Sequence, residues 1–333
     1  MSLTTLPLLD FSQFRAGGEA RQRFLTELRR AAHEVGFFYL SGHGIAASLA
    51  QQVHDVTQAF FDLPLAERLA VRMVHSPHFR GYTNLEGELT RGKPDSREQF
   101  DFMSEDTAIT AVSSETPWLQ LQGPNQWPSP LPSMKPILLD WQQQQTELSL
   151  ELLKAFALAL AQPEDVFQDT VQPQPFVHSK IIHYPGMAHS QQGVGAHKDS
   201  GYLTFVQQYE QAGLEVLIED QWVLAEPIPN TFVVNIGELL ELASNGYLKA
   251  TMHRVVSPKP GQNRFSSAYF MSARLDATVP LLSLPQHLAE AATGPSSDPL
   301  NPLFYQVGQN TLKGRLRSHP DVAQKHYAHA LSL

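Results

Sequence analysis

Cysteine is absent from all 333 residues of the sequence. Its absence excludes disulfide bonds, iron–sulfur clusters, thiolate-ligated zinc and a cysteine nucleophile. Any metal that the side chains bind must therefore be held by histidine and carboxylate groups. The first residues, from Met1 to Asp10, also lack a basic stretch followed by a long apolar one, so no secretory signal is visible and we expect a cytoplasmic protein.

Charge is also sparse, and it is biased towards one sign. Only 17% of the residues are charged and 42% are hydrophobic, which is typical of a globular chain with a substantial core. The formal net charge is −9 and no block of lysine and arginine occurs, which argues against nucleic acid or an anionic membrane as a partner. No apolar run reaches the roughly 18 residues that a membrane span requires. A monomer is the default expectation.

Helical periodicity dominates the first half of the chain. Apolar residues recur at helical spacing over residues 19–35, 46–61 and 134–161, and Pro64 can open a further short helix. Residues 79–103 mix aromatic and charged side chains, which suits a loop or an edge strand near a pocket. Residues 105–132 are rich in proline, serine and glutamine and predict a loop region.

After Pro173 the sequence changes to short β-type runs separated by glycine, proline and asparagine. Seven runs are found, at 176–184, 202–208, 214–218, 222–225, 231–235, 251–256 and 264–271. That density indicates a sandwich or barrel. We therefore expect an α+β protein with a mainly β core (173–280), a helical N-terminal region (1–172) and a C-terminal extension (281–333), packed as one structural unit.

His197 and Asp199 are separated by one residue and are followed by β-forming residues. In a strand, side chains at i and i+2 project from the same face, so an imidazole and a carboxylate could converge on one ion. His253 follows 54 residues after Asp199, in a strand-like context. Two imidazoles and one carboxylate leave coordination positions open, as non-heme Fe(II) oxygenases require, whereas structural zinc closes its shell.

Arg264 and Ser266 open the next β-type run and would also share one face of a strand. A guanidinium with a neighbouring hydroxyl is suited to bidentate capture of a carboxylate. Tyr184, which closes an earlier run, could donate one more hydrogen bond to the same anion. These three residues are therefore candidates for a carboxylate site.

In this order and at this spacing, His197-x-Asp199, His253 and Arg264-x-Ser266 resemble the 2-oxoglutarate/Fe(II) dioxygenases of the isopenicillin N synthase-like branch. The similarity extends to residues 36–45, 180–185, 233–237, 244–249 and, with bacterial members, 312–319. The resemblance implies a double-stranded β-helix (jelly roll) flanked by N-terminal helices and a long scaffold helix.

The resemblance also implies a site. Fe(II) would be bound by His197, Asp199 and His253, while 2-oxoglutarate would chelate the iron and place its distal carboxylate on Arg264, Ser266 and Tyr184. O2 is the second co-substrate, ascorbate is a candidate reductant, and a small organic substrate is hydroxylated, desaturated or cyclised. One departure is Ile182, which stands where many plant members carry asparagine.

Five further residues are candidates for the substrate pocket: Phe270, Tyr82, Arg80, Lys180 and Tyr202. Phe270 is chosen because it lies two strand steps beyond Ser266 on the same face of a regular strand. Asn235 and Gly237 are interpreted as turn and packing residues.

Three alternatives stay open on the sequence. An oxidase of the same branch would need no 2-oxoglutarate and would use Arg264 for a substrate carboxylate. A jelly-roll binding module would keep a metal without catalysis, although it has no need of open iron positions. A zinc hydrolase would need no arginine–serine anion clamp.

Overall fold

The computed structural model describes residues 5–109, 111–188, 192–296 and 301–328. Its strands are β1 Leu8–Asp10, β2 Phe37–Ser41, β3 Gly81–Thr83, β4 Leu89–Thr90, β5 Lys93–Pro94, β6 Glu98–Met103, β7 Val177–Pro185, β8 Val194–His197, β9 Leu203–Gln208, β10 Leu214–Ile218, β11 Gln221–Leu224, β12 Phe232–Ile236, β13 His253–Val255 and β14 Asn263–Met271. Eight of them form a major sheet in the order β1-β2-β12-β9-β14-β7-β6-β3. A minor sheet has the order β11-β10-β13-β8, and β4 pairs with β5 as a hairpin.

Ten α-helices surround the sheets within the described residues. They are α1 Ser12–Ala16, α2 Gly18–Glu34, α3 Ala47–Phe61, α4 Leu65–Ala70, α5 Met134–Ala159, α6 Gln168–Val171, α7 Glu238–Ala243, α8 Gln286–Ala289, α9 Val307–Ser318 and α10 Pro320–His326. None of these helices is long and apolar enough to cross a membrane. Helix α2 ends at a left-handed glycine: Gly36 has φ 75°, and a Cβ there would lie 2.2 Å from the carbonyl oxygen of Lys249.

The major sheet separates two apolar cores, and side-chain alternation assigns residues to each. On β2, Phe38 and Leu40 face the helices, whereas Phe37 and Tyr39 face the minor sheet. Full burial of such a side chain contributes about 1.5–3 kcal/mol relative to exposure. The long helix α5 covers the first core by packing on α2, α3 and β14. The two sheets enclose the second core, and the polar site lies at its open end.

The β core confirms the sequence-based expectation closely. Each of the seven predicted runs contains a strand, and the helices over 19–35, 46–61 and 134–161 are present. Besides its helices, the N-terminal segment supplies β1, β2, β3 and β6 to the major sheet. Strand β6 lies between β3 and β7 and is buried along its length, so it is neither a loop nor an edge strand.

The division of the chain into segments 1–172, 173–280 and 281–333 stays a prediction. Parts of it, residues 1–4, 110, 189–191, 297–300 and 329–333, lie outside the described residues.

Candidate active site

His197 and His253 face each other across the minor sheet, where β8 and β13 pair them directly. Their ring centroids are 4.2 Å apart. Asp199 closes the group: its Oδ1 lies 3.5 Å from Nε2 of His197 and its Oδ2 lies 3.7 Å from Nε2 of His253. One potential ligand atom from each residue lies within 4.8 Å of the other two.

Asp199 reaches this position from the loop after β8 and not from the strand that the i, i+2 spacing predicted. His197 is the last residue of β8. The loop is fixed by the start of α7, where the amide of Glu238 donates to the carbonyl of Asp199 at 2.7 Å. Gly237 permits this approach, since a Cβ there would lie 2.0 Å from the carbonyl oxygen of Gly201.

Hydrogen bonds orient all three donor groups. Nδ1 of His197 donates to the Gly195 carbonyl at 2.8 Å and Nδ1 of His253 to the Thr251 carbonyl at 3.2 Å, so each Nε2 keeps its lone pair for an ion.

Oδ2 of Asp199 accepts from Thr204 at 2.7 Å and from Asn235 at 2.9 Å. The interpretation of Asn235 as only a turn and packing residue was therefore wrong. It lies on β12 and orients the carboxylate.

The charges of the three groups suit a divalent cation. Burial opposes ionisation of Asp199, but His253 and His197 lower the pKa of its carboxyl well below the ordinary value. Burial, reinforced by His197, lowers the pKa of His253 to about 4, so this ring is neutral at pH 7. Burial also opposes protonation of His197, although Asp199 raises its pKa. Two imidazole nitrogens and a carboxylate are the donor set that Fe(II) oxygenases use, and Fe(II) fits it.

A buried cation lies beyond this group, on the face of the major sheet that meets the minor sheet. Arg264 on β14 is opposite Tyr184 on β7, and its guanidinium lies 4.8 Å from the centre of the tyrosine ring. It is only 1% exposed and donates to Ser266 Oγ at 3.3 Å and to Gln208 Oε1 at 3.1 Å. Its Nε has no partner among the described residues, and burial lowers its pKa. A guanidinium buried with neutral partners is costly unless an anion joins it.

A cavity of about 630 Å³ opens beside His197 and Asp199. Phe270 and Lys180 line it, as the sequence predicted. Its charged lining consists of the cations Arg91, Arg97, Lys180, Lys198, Lys313, Arg315 and Arg317 and the acids Glu88, Asp199 and Glu238. A cavity with this lining, in a protein of net charge −9, favours a ligand that carries at least one carboxylate.

Many of the charges in the cavity wall belong to one ion-pair network. Lys180 donates to Glu88 at 2.9 Å and lies 3.6 Å from Asp101 on the neighbouring strand. Asp101 also accepts from Nε2 of His178 at 2.6 Å, and Arg315 of α9 contacts both Asp101 and Nδ1 of His178. The network joins helix α9 to strands β6 and β7 of the major sheet.

His178 in this network is neutral and supports the apolar part of the wall. Its ring stacks on Phe270 with centroids 5.2 Å apart and an interplanar angle of 15°. Burial is the main cause that lowers the pKa of His178, to about 3, with Arg315 acting in the same direction.

Neutral, buried His178 makes stability depend on pH. Its folded-state pKa of about 3 is below its ordinary value of 6.5, so the unfolded chain takes up the proton first as pH falls. His178 should therefore contribute a fall of about 1.4 kcal/mol per pH unit in the free energy of unfolding, from its ordinary pKa down to its folded-state pKa. Urea unfolding of the metal-free protein across this range measures the slope. His178→Gln should lower it, and an unchanged slope in that variant would contradict the assignment.

Three other substrate candidates lie away from the cavity. Arg80 is buried and donates to the Gly123 carbonyl at 3.0 Å, and Tyr82 donates to Glu98 at 2.5 Å. The hydroxyl of Tyr202 is 3.1 Å from that of Thr170, in the core on the helix side. The structure therefore does not bring Arg80, Tyr82 or Tyr202 to the candidate site.

Comparison with known proteins identifies the family. Residues 6–130 match the model of the non-haem dioxygenase in morphine synthesis N-terminal region, and residues 176–273 match that of the 2OG-Fe(II) oxygenase superfamily. The chain is 34% identical to the 2-oxoglutarate-dependent dioxygenase frbJ of Dothideomycetidae sp. (strain 11243), over 98% of this chain and 92% of that protein. The chain belongs to the 2OG-Fe(II) oxygenase superfamily.

Other relatives of this oxygenase agree with that assignment. The chain is 38% identical to the homoarginine-6-hydroxylase 2-ODD-233 of Oryza sativa subsp. japonica, over 82% of this chain and 87% of that protein. The crystal structure of a 2OG-Fe(II) oxygenase family protein from Caulobacter crescentus has a TM-score of 0.76 at 26% identity, covering 93% of this chain and 99% of that one. The jelly-roll α+β fold is thereby confirmed.

This oxygenase is a 2-oxoglutarate- and Fe(II)-dependent dioxygenase, which couples oxidative decarboxylation of 2-oxoglutarate by O2 to oxidation of a small organic substrate. Relatives that are more than 30% identical to this chain support this activity and not the 2-oxoglutarate-independent oxidase. The isopenicillin N synthase-like branch and the bacterial origin stay predictions.

Proposed function

We propose that His197, Asp199 and His253 hold Fe(II) in this dioxygenase, and that Arg264, Ser266 and Tyr184 hold the distal carboxylate of 2-oxoglutarate. The observation that carries the second assignment is the buried guanidinium of Arg264, which has only neutral partners. A dicarboxylate that reaches from the metal ligands to this guanidinium would supply the missing counter-charge.

The side chains of the protein would bind the metal and the substrates, orient them and shield them from water. Bound iron would supply the positions at which 2-oxoglutarate and O2 react. Thr204 and Asn235 keep the Asp199 carboxylate ionised and fixed in one rotamer, which leaves Oδ1 for the metal. Phe270 forms an apolar wall beside the metal ligands, where it would place the substrate and exclude water.

We infer that the substrate is a small zwitterion, an amino acid with a basic side chain. Acidic and basic side chains share the cavity wall, so a molecule with charges of both signs would find partners of both signs. The rice relative, which is named a homoarginine-6-hydroxylase, supports this class. Hydroxylation is the corresponding outcome, in preference to desaturation or cyclisation.

Substrate-dependent succinate formation tests this proposal. Homoarginine, arginine and lysine are compared with norleucine, which lacks the side-chain charge, and with agmatine, which lacks the carboxylate. We expect at least one basic amino acid to raise succinate formation at least about tenfold and to gain one oxygen atom per succinate. Equal stimulation by norleucine or agmatine would contradict a zwitterion-selective cavity, and so would no stimulation by any basic amino acid.

We also propose that the enzyme is a cytoplasmic monomer and that ascorbate maintains its iron as Fe(II). The acidic charge and the absence of a spanning helix among the described residues support the first part of this proposal. Light scattering on the purified protein should give the mass of one 37.1 kDa chain, and a dimer mass would contradict it.

A further inference from the structure

We propose that Arg97 is a second cation of the site that holds the distal carboxylate of 2-oxoglutarate, beside Arg264. The inference rests on the proposed function, because it assigns another residue to the same co-substrate site. The sequence patterns single out Arg264 alone for this role.

The strand register places Arg97 in one row with the residues already assigned. Arg264 on β14 is opposite Tyr184 on β7, and Glu98, the first residue of β6, is opposite His183. Extending that antiparallel register by one residue brings Arg97 to the level of Tyr184. Arg97, Tyr184 and Arg264 therefore lie side by side on three neighbouring strands.

The alternation along β6 gives the face on which Arg97 projects. Asp101 on β6 is opposite Lys180 on β7, and their side chains meet at 3.6 Å. Arg97 is four residues from Asp101 and so projects from that same face, towards the cavity. Consistent with this placement, Arg97 lines the cavity together with His197 and Asp199.

The two carboxylates that pair with the buried Arg97 contact only one of its three guanidinium nitrogens among the described residues. The residue is 9% exposed, and its Nη2 donates to Glu88 at 2.7 Å and to Asp95 at 3.3 Å. Glu88 also accepts two hydrogen bonds from Lys180 at 2.9 Å, so its charge is shared between two cations. The buried Nε of Arg97 has no hydrogen-bond partner among the described residues.

Electrostatic coupling connects Arg97 to the rest of the co-substrate site. Burial would lower the pKa of Arg97, but Glu88, Asp95 and the Tyr184 hydroxyl together raise it, so Arg97 stays charged. Its charge in turn lowers the pKa of Arg264. Two guanidinium groups that repel each other across one tyrosine form a site that an anion would stabilise.

Ile182 on the neighbouring strand explains why a further polar contact from Arg97 would be needed. Ile182 is opposite Ser266 on β14 and Gln99 on β6, so strand β7 contributes Tyr184 to the assigned site but an apolar side chain at the level of Ser266. A further polar contact on this side of the co-substrate would come from the segment that leads into β6. Arg97 is the cation that this region of the chain presents towards Tyr184.

The test is a binding measurement without turnover. Fe(II)-loaded protein is titrated anaerobically by calorimetry with 2-oxoglutarate and, separately, with 2-oxopentanoate, which keeps the chelating 2-oxo acid and lacks the distal carboxylate. The variants are Arg97→Gln, Arg97→Lys and the matched control Arg68→Gln. Arg68 is also a partly buried arginine paired with a carboxylate, that of Glu98 at 2.5 Å, which is the residue next to Arg97.

We expect Arg97→Gln to raise the Kd for 2-oxoglutarate at least about tenfold and to leave the Kd for 2-oxopentanoate within about twofold. Arg97→Lys should recover part of the loss, and Arg68→Gln should change neither Kd. If the role of Arg97 were purely structural, Arg97→Gln would raise both Kd values equally or neither of them, and that result would overturn the proposal. If Arg97→Gln does not fold, the same selective loss must appear in Arg97→Lys. Failure of the wild type to bind 2-oxoglutarate would instead refute the proposed function.

Discussion

Replacing Asp199 with alanine is expected to abolish 2-oxoglutarate turnover and to weaken Fe(II) binding more than about 100-fold. Loss of an outer hydrogen-bond partner of a metal ligand typically costs about 10–100-fold in affinity or activity, and loss of the ligand itself should cost more. The variant would also leave His197 and His253 without the carboxylate that contacts both rings. Fe(II) titration under argon measures the affinity, and succinate formation measures the activity.

The control for this variant is Asp276→Ala. Asp276 is an exposed acid whose carboxylate pairs with Arg274 at 2.9 Å. This replacement should leave the iron affinity and the succinate rate within about twofold of the wild type. Retention of tight Fe(II) binding by Asp199→Ala would contradict the assignment of the metal ligands.

Replacing Arg264 with alanine should raise the Kd for 2-oxoglutarate about 100-fold or more, while Fe(II) binding stays near the wild-type value. Hydrogen bonds to charged groups contribute about 1.5–3 kcal/mol each, and a guanidinium can make two to one carboxylate. Arg264 is almost fully buried, so solvent would screen this interaction little. Anaerobic titration of each ligand separates the two effects.

Arg264→Lys is the informative companion variant. It keeps the positive charge and loses the planar fork, so we expect a Kd between those of the wild type and the alanine variant. If Arg264→Ala binds 2-oxoglutarate normally but no longer turns over the organic substrate, Arg264 holds a substrate carboxylate and not the co-substrate.

The sequence patterns named residues that the structure also brings together at the two proposed sites. Short β-type runs located β7, β9 and β14, and the i, i+2 spacing in Arg264-x-Ser266 correctly placed both side chains on one face. His253 was predicted as a ligand because the residues around it are typical of a strand. Its direct pairing with His197 follows from the strand order of the minor sheet. Residues that act together on one strand can therefore be predicted from the sequence.

What the sequence did not predict depends on contacts between distant segments. Glu88 and Lys180 are 92 residues apart and meet only because β7 pairs with β6 and the β4–β5 hairpin folds over the site. Arg315 reaches Asp101 from 214 residues away. The alternation of Arg97, Gln99 and Asp101 was the one local sign that residues 79–103 hold a strand with a polar face.

Arg80, Tyr82 and Tyr202 illustrate the opposite error. Each is an aromatic or charged residue that was predicted to line a pocket, yet each makes a hydrogen bond to a partner inside the core. The side to which each side chain projects depends on how its segment packs on the sheet, which the local composition does not encode.

The most direct test of the whole account is anaerobic titration of the Fe(II)-loaded protein with 2-oxoglutarate, monitored for the weak visible charge-transfer band of the iron chelate. We expect a band that saturates at one 2-oxoglutarate per iron and that requires far more 2-oxoglutarate in Arg264→Ala. Bound iron without a band would contradict it and would leave Arg264 as the partner of a substrate carboxylate.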